Sequence, residues 1–268
     1  MKDLSIFISS SDSYKDCWVP FFKLFKKFWP DCQLPIYLNT EKEQFSFEGL
    51  EITSTCVGKH THFGETFHQG LGMVKTKYVL VIMIDYFFMA TVDNNQVEFL
   101  FDSFLKLKFQ GLYLVNQEPT VSGSATEIEG VYEANQNTSD RFSFQIAFWE
   151  KDILKKYVLL HETPWMSEKF GTKRAHIYNH KIGYVSSQAE PIKYLLTGGL
   201  HKGGWIEGMI PFFEKENIQI DFSKRGIYKW KKQTLLERIQ AKRKRFAGEW
   251  KSSVHLHKLI NDLRKVTT

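Results

Sequence analysis

Cysteine is scarce in this chain: there are three in 268 residues, and Cys17, Cys32 and Cys56 form no CxxC pair. An odd, scattered set argues against a disulfide framework and against a cysteine zinc site. Long apolar runs are missing as well. The longest, residues 79–90, is about twelve residues, contains Asp85 and is too short to cross a bilayer. The opening residues, MKDLSIFISSSDS, have neither the apolar core nor the small-residue cleavage site of a secretion signal. The sequon-like Asn137-Thr138-Ser139 is therefore read as coincidence, and a cytoplasmic location is expected. Internal repeats and low-complexity segments are absent too.

Apolar material is plentiful, at 43% of residues with 15% aromatic, enough for a full core. The length suits one large α/β domain or a domain with an appendage. The net charge of +6 hides a division. Residues 224–268 hold 14 Lys and Arg against 3 Asp and Glu, whereas residues 1–223 hold 22 against 27. A mildly acidic body thus carries a basic tail.

Along the body, strand and helix patterns alternate. Residues 4–9 (LSIFIS) read as a strand. An amphipathic helix follows, in which Trp18, Phe21, Phe22, Phe25 and Trp29 recur at helical spacing; Asp12 or Ser13 could cap it, and Pro30 ends it. Strands are expected at 34–39 and 50–55, and a helix at 64–76 despite Gly70 and Gly72. Residues 78–84 (YVLVIMI) form a continuous apolar strand, the pattern of a strand covered on both faces. A helix over 94–109 and a strand over 111–116 complete this half. Beyond it the rhythm turns irregular and more antiparallel: part of a hairpin at 127–134, a strand over 141–149, two short helices and a strand at 181–185. The asymmetry predicts a mixed sheet whose first half is parallel.

Asp85 interrupts VLVIMIDYFFM at the carboxyl end of the best strand, the edge where open α/β sheets bind ligands. A carboxylate there faces a cavity, a cation or hydroxyls, or else caps the next turn, because an unpartnered buried charge is costly. In HKGGW, His201 and Lys202 could reach phosphate oxygens, with glycines letting backbone N–H groups approach; a plain Gly-rich turn is the other reading. Lys173 and Arg174 are candidate anion contacts or a solvated turn. His60, His62 and His68 fit no single helix face and are read as solvent or cleft residues.

Two stretches, SSSDSYKDCWVPFFKLFKKFWPDCQLPIYLNT and KTKYVLVIMIDYFFM, resemble bacterial glycosyltransferases of the GT-A fold from capsular and surface polysaccharide loci. Gln145 to Trp149, TPWMSEKFGTKR (163–174) and HKGGW (201–205) extend the resemblance over residues 4–210. It implies a GT-A-like, Rossmann-like fold over residues 1–222, with a donor half to about 116 and an acceptor half from about 117, followed by a basic helical extension over 223–268. The implied activity is transfer of a sugar, with inversion, from a nucleotide-sugar to a glycan or lipid-linked acceptor. Ser9, Ser10, Asp12, Asn39 and Asp85 would meet the donor, with Asp85 also holding Mn²⁺ or Mg²⁺. Glu168 is the implied general base and Glu162 the second choice, with Trp165 stacking on the acceptor sugar. Two positions depart from the pattern. Ile84 stands where the first of two acids is expected, and FGETFHQGL replaces a tryptophan-serine helix start, leaving Phe63 and Glu65 as stand-ins. The first departure motivates an alternative: a relative that binds a nucleotide-sugar or glycan without transfer.

In the tail, Lys and Arg interleave with Ile227, Tyr228, Trp230, Leu235, Leu236, Ile239, Phe246 and Trp250. This basic amphipathic pattern predicts peripheral binding to an anionic membrane surface, or a helix packed on the body with solvated charges. Nucleic acid is not the expected partner.

Overall fold

The computed structural model describes residues 1–118, 120–229 and 235–266; of these, the side chains of 235–247, 263, 264 and 266 are not described. The strands are β1 (Leu4–Ser9), β2 (Ile36–Leu38), β3 (Ile52–Ser54), β4 (Tyr78–Met83), β5 (Gly111–Tyr113), β6 (Gly123–Ala125), β7 (Val131–Ala134), β8 (Ala147–Glu150), β9 (Ile182–Val185), β10 (Leu200–His201), β11 (Gly204–Ile206) and β12 (Ile227–Tyr228). The helices are α1 (Lys15–Phe28), α2 (Phe63–Met73), α3 (Asn94–Lys106), α4 (Lys151–Tyr157), α5 (Pro164–Ile177), α6 (Ile210–Lys215) and α7 (Leu235–Val266).

Nine strands form one mixed sheet in the order β3-β2-β1-β4-β8-β5-β9-β7-β6. The first four run parallel, β8 is antiparallel to both β4 and β5, and β7 is antiparallel to β9 and β6. The expected change from parallel to antiparallel therefore occurs. The connections differ accordingly: α1 leads from β1 to β2, a loop from β2 to β3 and α2 from β3 to β4, whereas β6 and β7 are joined by a short turn.

The unbroken apolar character of β1 and β4 has a two-sided explanation. Leu4, Ile6, Ile8, Leu80 and Ile82 face α1 and α3 in one core cluster. Phe7, Val79 and Val81 face the other cluster, which takes in Phe67 and Leu71 of α2 and Tyr157 of α4. On α1, Phe21, Phe22 and Phe25 are fully buried, each stabilising the fold by roughly 1.5–3 kcal/mol. Gly70 is no weakness in α2. A Cβ there would stand 2.0 Å from Asn39 Oδ1, so the glycine lets the end of β2 lie against the helix.

One expected strand is mostly irregular. Of residues 141–149 only the last few join β8. Side chains satisfy the N–H groups that a ladder would have used. Thr172 Oγ1 accepts from Phe142, the Tyr113 hydroxyl from Ser143, Glu168 Oε1 from Phe144 and the Tyr194 hydroxyl from Ile146, at 2.8–3.2 Å. The segment still buries Phe142, Phe144 and Ile146.

Past β9 the chain folds back over the end of β4. Met89 N–H donates to the Lys193 carbonyl and Gly199 N–H to the Asp85 carbonyl, each at 2.8 Å. Trp205, fully buried, stacks on Phe87 with ring centroids 5.9 Å apart. The small sheet β10-β11-β12 and α6 hang from this return. Residues 223–229 are tied to the body, because Arg225 pairs with Asp16 at 2.6 Å and β12 pairs with β11. The helix α7 packs on α5 through Lys169–Glu249 at 2.6 Å. Trp230, and the side chains of Leu235, Leu236, Ile239 and Phe246 invoked for an amphipathic face, lie outside the described residues. Among the described residues no helix is long and apolar enough to cross a membrane.

Candidate active site

β1 and β4 end side by side, with Ser9 opposite Met83. The chain then turns, Tyr86 N–H donating to the Met83 carbonyl at 3.0 Å, and Asp85 comes to lie half-buried in a cleft of about 500 Å³. It is lined by Ser9, Ser10 and Tyr14 at and just after the end of β1, by Trp165 and Glu168 from α5, by the His60–Phe63 segment before α2 and by residues of the Leu196–Gly203 return.

Burial pushes the Asp85 carboxyl up to about 6, while N–H groups of Asp85 and Leu200 and the charge of Arg225 pull it down. Two main-chain donors thus stabilise the carboxylate, and the cleft opens alongside it. Gly198 makes room for the carboxylate: at φ +75° its missing Cβ would sit 2.4 Å from Asp85 Oδ2. Gly198→Ala is expected to displace the carboxylate and strain the turn, lowering thermal stability and weakening any ligand held on Asp85; differential scanning fluorimetry and a binding titration on one sample would read both.

Glu168 reaches the cleft from the first turns of α5, which Thr163 caps by accepting from Met166 N–H at 3.3 Å. Burial raises its carboxyl above the ordinary value, and the Phe144 N–H, 2.9 Å from Oε1, opposes that rise. Tyr86 lines the same cleft as the two acids. Its buried phenol is pushed up by burial and feels Tyr194, Asp85 and Glu168 in turn. Trp165 is 64% exposed at the cleft mouth, so its indole is open to a ligand rather than part of the core.

Several sequence-derived candidates are spent elsewhere. Asp12 accepts from the N–H groups of Glu41, Lys42 and Glu43 at 2.8–3.3 Å; it fixes the loop after β2 and does not line the cleft. Asn39 is buried between Thr55, whose hydroxyl donates to its Oδ1 at 2.9 Å, and α2, so ribose contact is ruled out by access. Glu162 and Arg174 form a buried ion pair at 2.6 Å with both side chains 0% exposed. Neither can meet a substrate, which corrects Glu162 as a base and Arg174 as an anion contact. The Lys173 ammonium rests 5.1 Å from the Phe170 ring centroid, away from the cleft. Glu65, the stand-in oxygen, caps α2 by accepting from Thr61 and His62 at 3.0 and 3.2 Å. Ser9, Ser10, Asp85, His201 and Lys202 do converge, although the Ser10 hydroxyl already accepts from Trp18 Nε1 at 2.8 Å.

Tyr14, Tyr86 and Arg225 are contributors that sequence reasoning passed over. Arg225 stacks 4.7 Å over the Tyr14 ring and is held by Asp16, 209 residues away in sequence, a pairing with no local signal. Among the described residues no group of three or more His, Cys, Asp or Glu side chains could hold a metal ion. The residues around Asp85 do not make a protein cage for Mn²⁺ or Mg²⁺; an ion there would rely on ligand phosphates and water.

No protein-family model matches this chain. No curated protein matches it either. Among solved structures it is similar to residues 1–349 of S. aureus TarS. The complex with UDP-GlcNAc is 12% identical, covering 68% of this chain and 56% of that one at a TM-score of 0.47. The complex with UDP is 12% identical, covering 68% and 57% at 0.46. The bifunctional IspDF of Campylobacter jejuni is 13% identical, covering 72% and 51% at 0.38. The chain thus spans little more than half the length of these structures.

Proposed function

We propose that this chain is a glycosyltransferase that moves a sugar from a nucleotide-sugar to a hydroxyl of a glycan or lipid-linked acceptor in bacterial surface polysaccharide synthesis, with inversion. The observation that carries the proposal is the convergence of two carboxyls from distant segments, Asp85 after β4 and Glu168 on α5, in one cleft at the carboxyl edge of the parallel strands. The motif resemblance around both residues supplies the reaction class.

In this reading the donor lies along Ser9, Ser10, Tyr14 and Asp85, and the acceptor enters past Trp165. Glu168, with its proton affinity raised by burial, takes the proton of the acceptor hydroxyl as that oxygen attacks the anomeric carbon. A new C–O bond forms, the bond to the diphosphate breaks, and the electron pair leaves on the nucleoside diphosphate. In this reading Lys202, which lines the cleft, meets the negative charge as it develops.

A second reading, binding without transfer, is favoured by Ile84. Its side chain is 2% exposed within the core cluster that faces α1, so the position of the first acid of the pattern belongs to the core and not to the cleft's charge. Incubation with UDP-, GDP- and CMP-sugars, with and without Mn²⁺, followed by quantitation of released nucleotide separates the two. Release that needs an acceptor supports transfer; binding with no release in any condition supports the second reading.

Asp85→Asn gives an independent check. An acid whose folded pKa is raised destabilises the fold wherever it is ionised. The amide is therefore expected to raise Tm above pH 6, with the gain shrinking as pH falls through 6 and gone near pH 4. A functional carboxylate also predicts weaker donor binding in the same variant. Peripheral attachment through the basic tail is tested by liposome flotation after truncation at Phe222: lost partitioning supports it and unchanged partitioning removes it.

A further inference from the structure

We propose that a second hollow beside the cleft binds a phosphate group on a ligand other than the donor nucleotide, so that the acceptor itself carries phosphate. This inference rests on the transfer reading above. The hollow, about 600 Å³, lies across the β10–β11 turn and shares Lys202 and Gly203 with the cleft. Its charged lining among the described residues is Lys202, Lys224, Arg225 and Lys229, with no carboxylate.

Asp16 neutralises Arg225 through a bidentate contact at 2.7 and 2.6 Å, so the free positive charge of the lining comes from the three lysines. Asp221 stands 3.8 Å from Lys224 with both side chains more than half exposed, a pair worth little in water. The backbone is equally suited. Gly203 and Gly226 adopt φ +83° and +68°, with no atom within 4 Å of where a Cβ would stand, so an oxyanion can come close to the main chain. Lys202 and Gly203, at φ +48° and +83°, are the two-residue turn that joins β10 to β11, which sets Lys202 between the two hollows.

The donor has its own room. The cleft on the Asp85 side is about 500 Å³, within the usual range for a small-molecule site of about 300–1,000 Å³. The Lys202–Gly203 turn stands between that cleft and the basic hollow, so a second anion can bind while the first site is filled.

The test uses the full chain and calorimetric titration with inorganic phosphate and with a sugar monophosphate, each with and without saturating UDP. Phosphate is expected to bind equally well with UDP present, more weakly as salt rises, and at least about tenfold more weakly in Lys224→Glu/Lys229→Glu. The same double variant should hold UDP within about threefold of the parent, and Lys75→Glu, elsewhere on the surface, should bind phosphate unchanged. Thermal melts confirm that the variants fold. Displacement of phosphate by UDP would assign the hollow to the donor's diphosphate and overturn the inference; so would undiminished phosphate binding by the double variant. A chain that binds no UDP sinks the transfer reading separately, and the phosphate titration without UDP still decides the site.

Discussion

Replacing Glu168 by glutamine is expected to lower kcat by about 10²–10⁴, the usual contribution of a general base, while the KM for the donor stays within about threefold. The amide keeps the shape and can still accept the Phe144 N–H, but it cannot take a proton. Parent activity should rise with pH through a group titrating above the ordinary carboxylate value, because burial raises this carboxyl. That limb should vanish in the variant. Steady-state kinetics across pH provide the check, and a variant with full activity would remove Glu168 from the chemistry.

The largest effect on stability is expected at Arg174. Its guanidinium donates to both oxygens of Glu162, at 2.9 and 2.6 Å, and to the Tyr157 carbonyl at 2.7 Å. Glu162 also accepts from Leu159 N–H at 3.0 Å and from the Ser252 hydroxyl of α7 at 2.8 Å. Arg174→Met leaves a carboxylate sealed from water without its cation, a loss of about 3–5 kcal/mol. Glu162→Leu/Arg174→Met removes both charges and should regain part of that loss. Urea unfolding measures each, and a single-variant loss under about 1 kcal/mol would show that water reaches the pair. Because α5 also carries Trp165 and Glu168, this pair indirectly holds that part of the cleft lining in place.

The elements that build the cleft floor were legible because their signals are local. The two-sided apolar runs of β1 and β4 and the aromatic spacing of α1 need only neighbouring residues to be read, and so does Asp85 at the strand end. The fates of Asp12, Asn39, Glu162 and Arg174 were not legible. Each is a polar residue of the right type whose partner comes from another element: the loop after β2, Thr55, or the α4–α5 turn. The loop at 142–146 misled for a related reason. Its alternating phenylalanines suit a strand, but side chains from β5, α5 and the return segment claim its N–H groups. Arg225 sits in a run of basic residues that read as a tail, and only the fold brings it to Tyr14 and Asp16.

The central claim is that the cleft beside Asp85 receives a nucleotide-sugar. Calorimetric titration of UDP-, GDP- and CMP-sugars into the parent and Asp85→Asn tests it most directly. The expected result is binding of at least one donor by the parent and affinity about tenfold or more lower in the variant, the scale of a lost charge-assisted contact. Binding of no donor, or equal binding by both proteins, would contradict it.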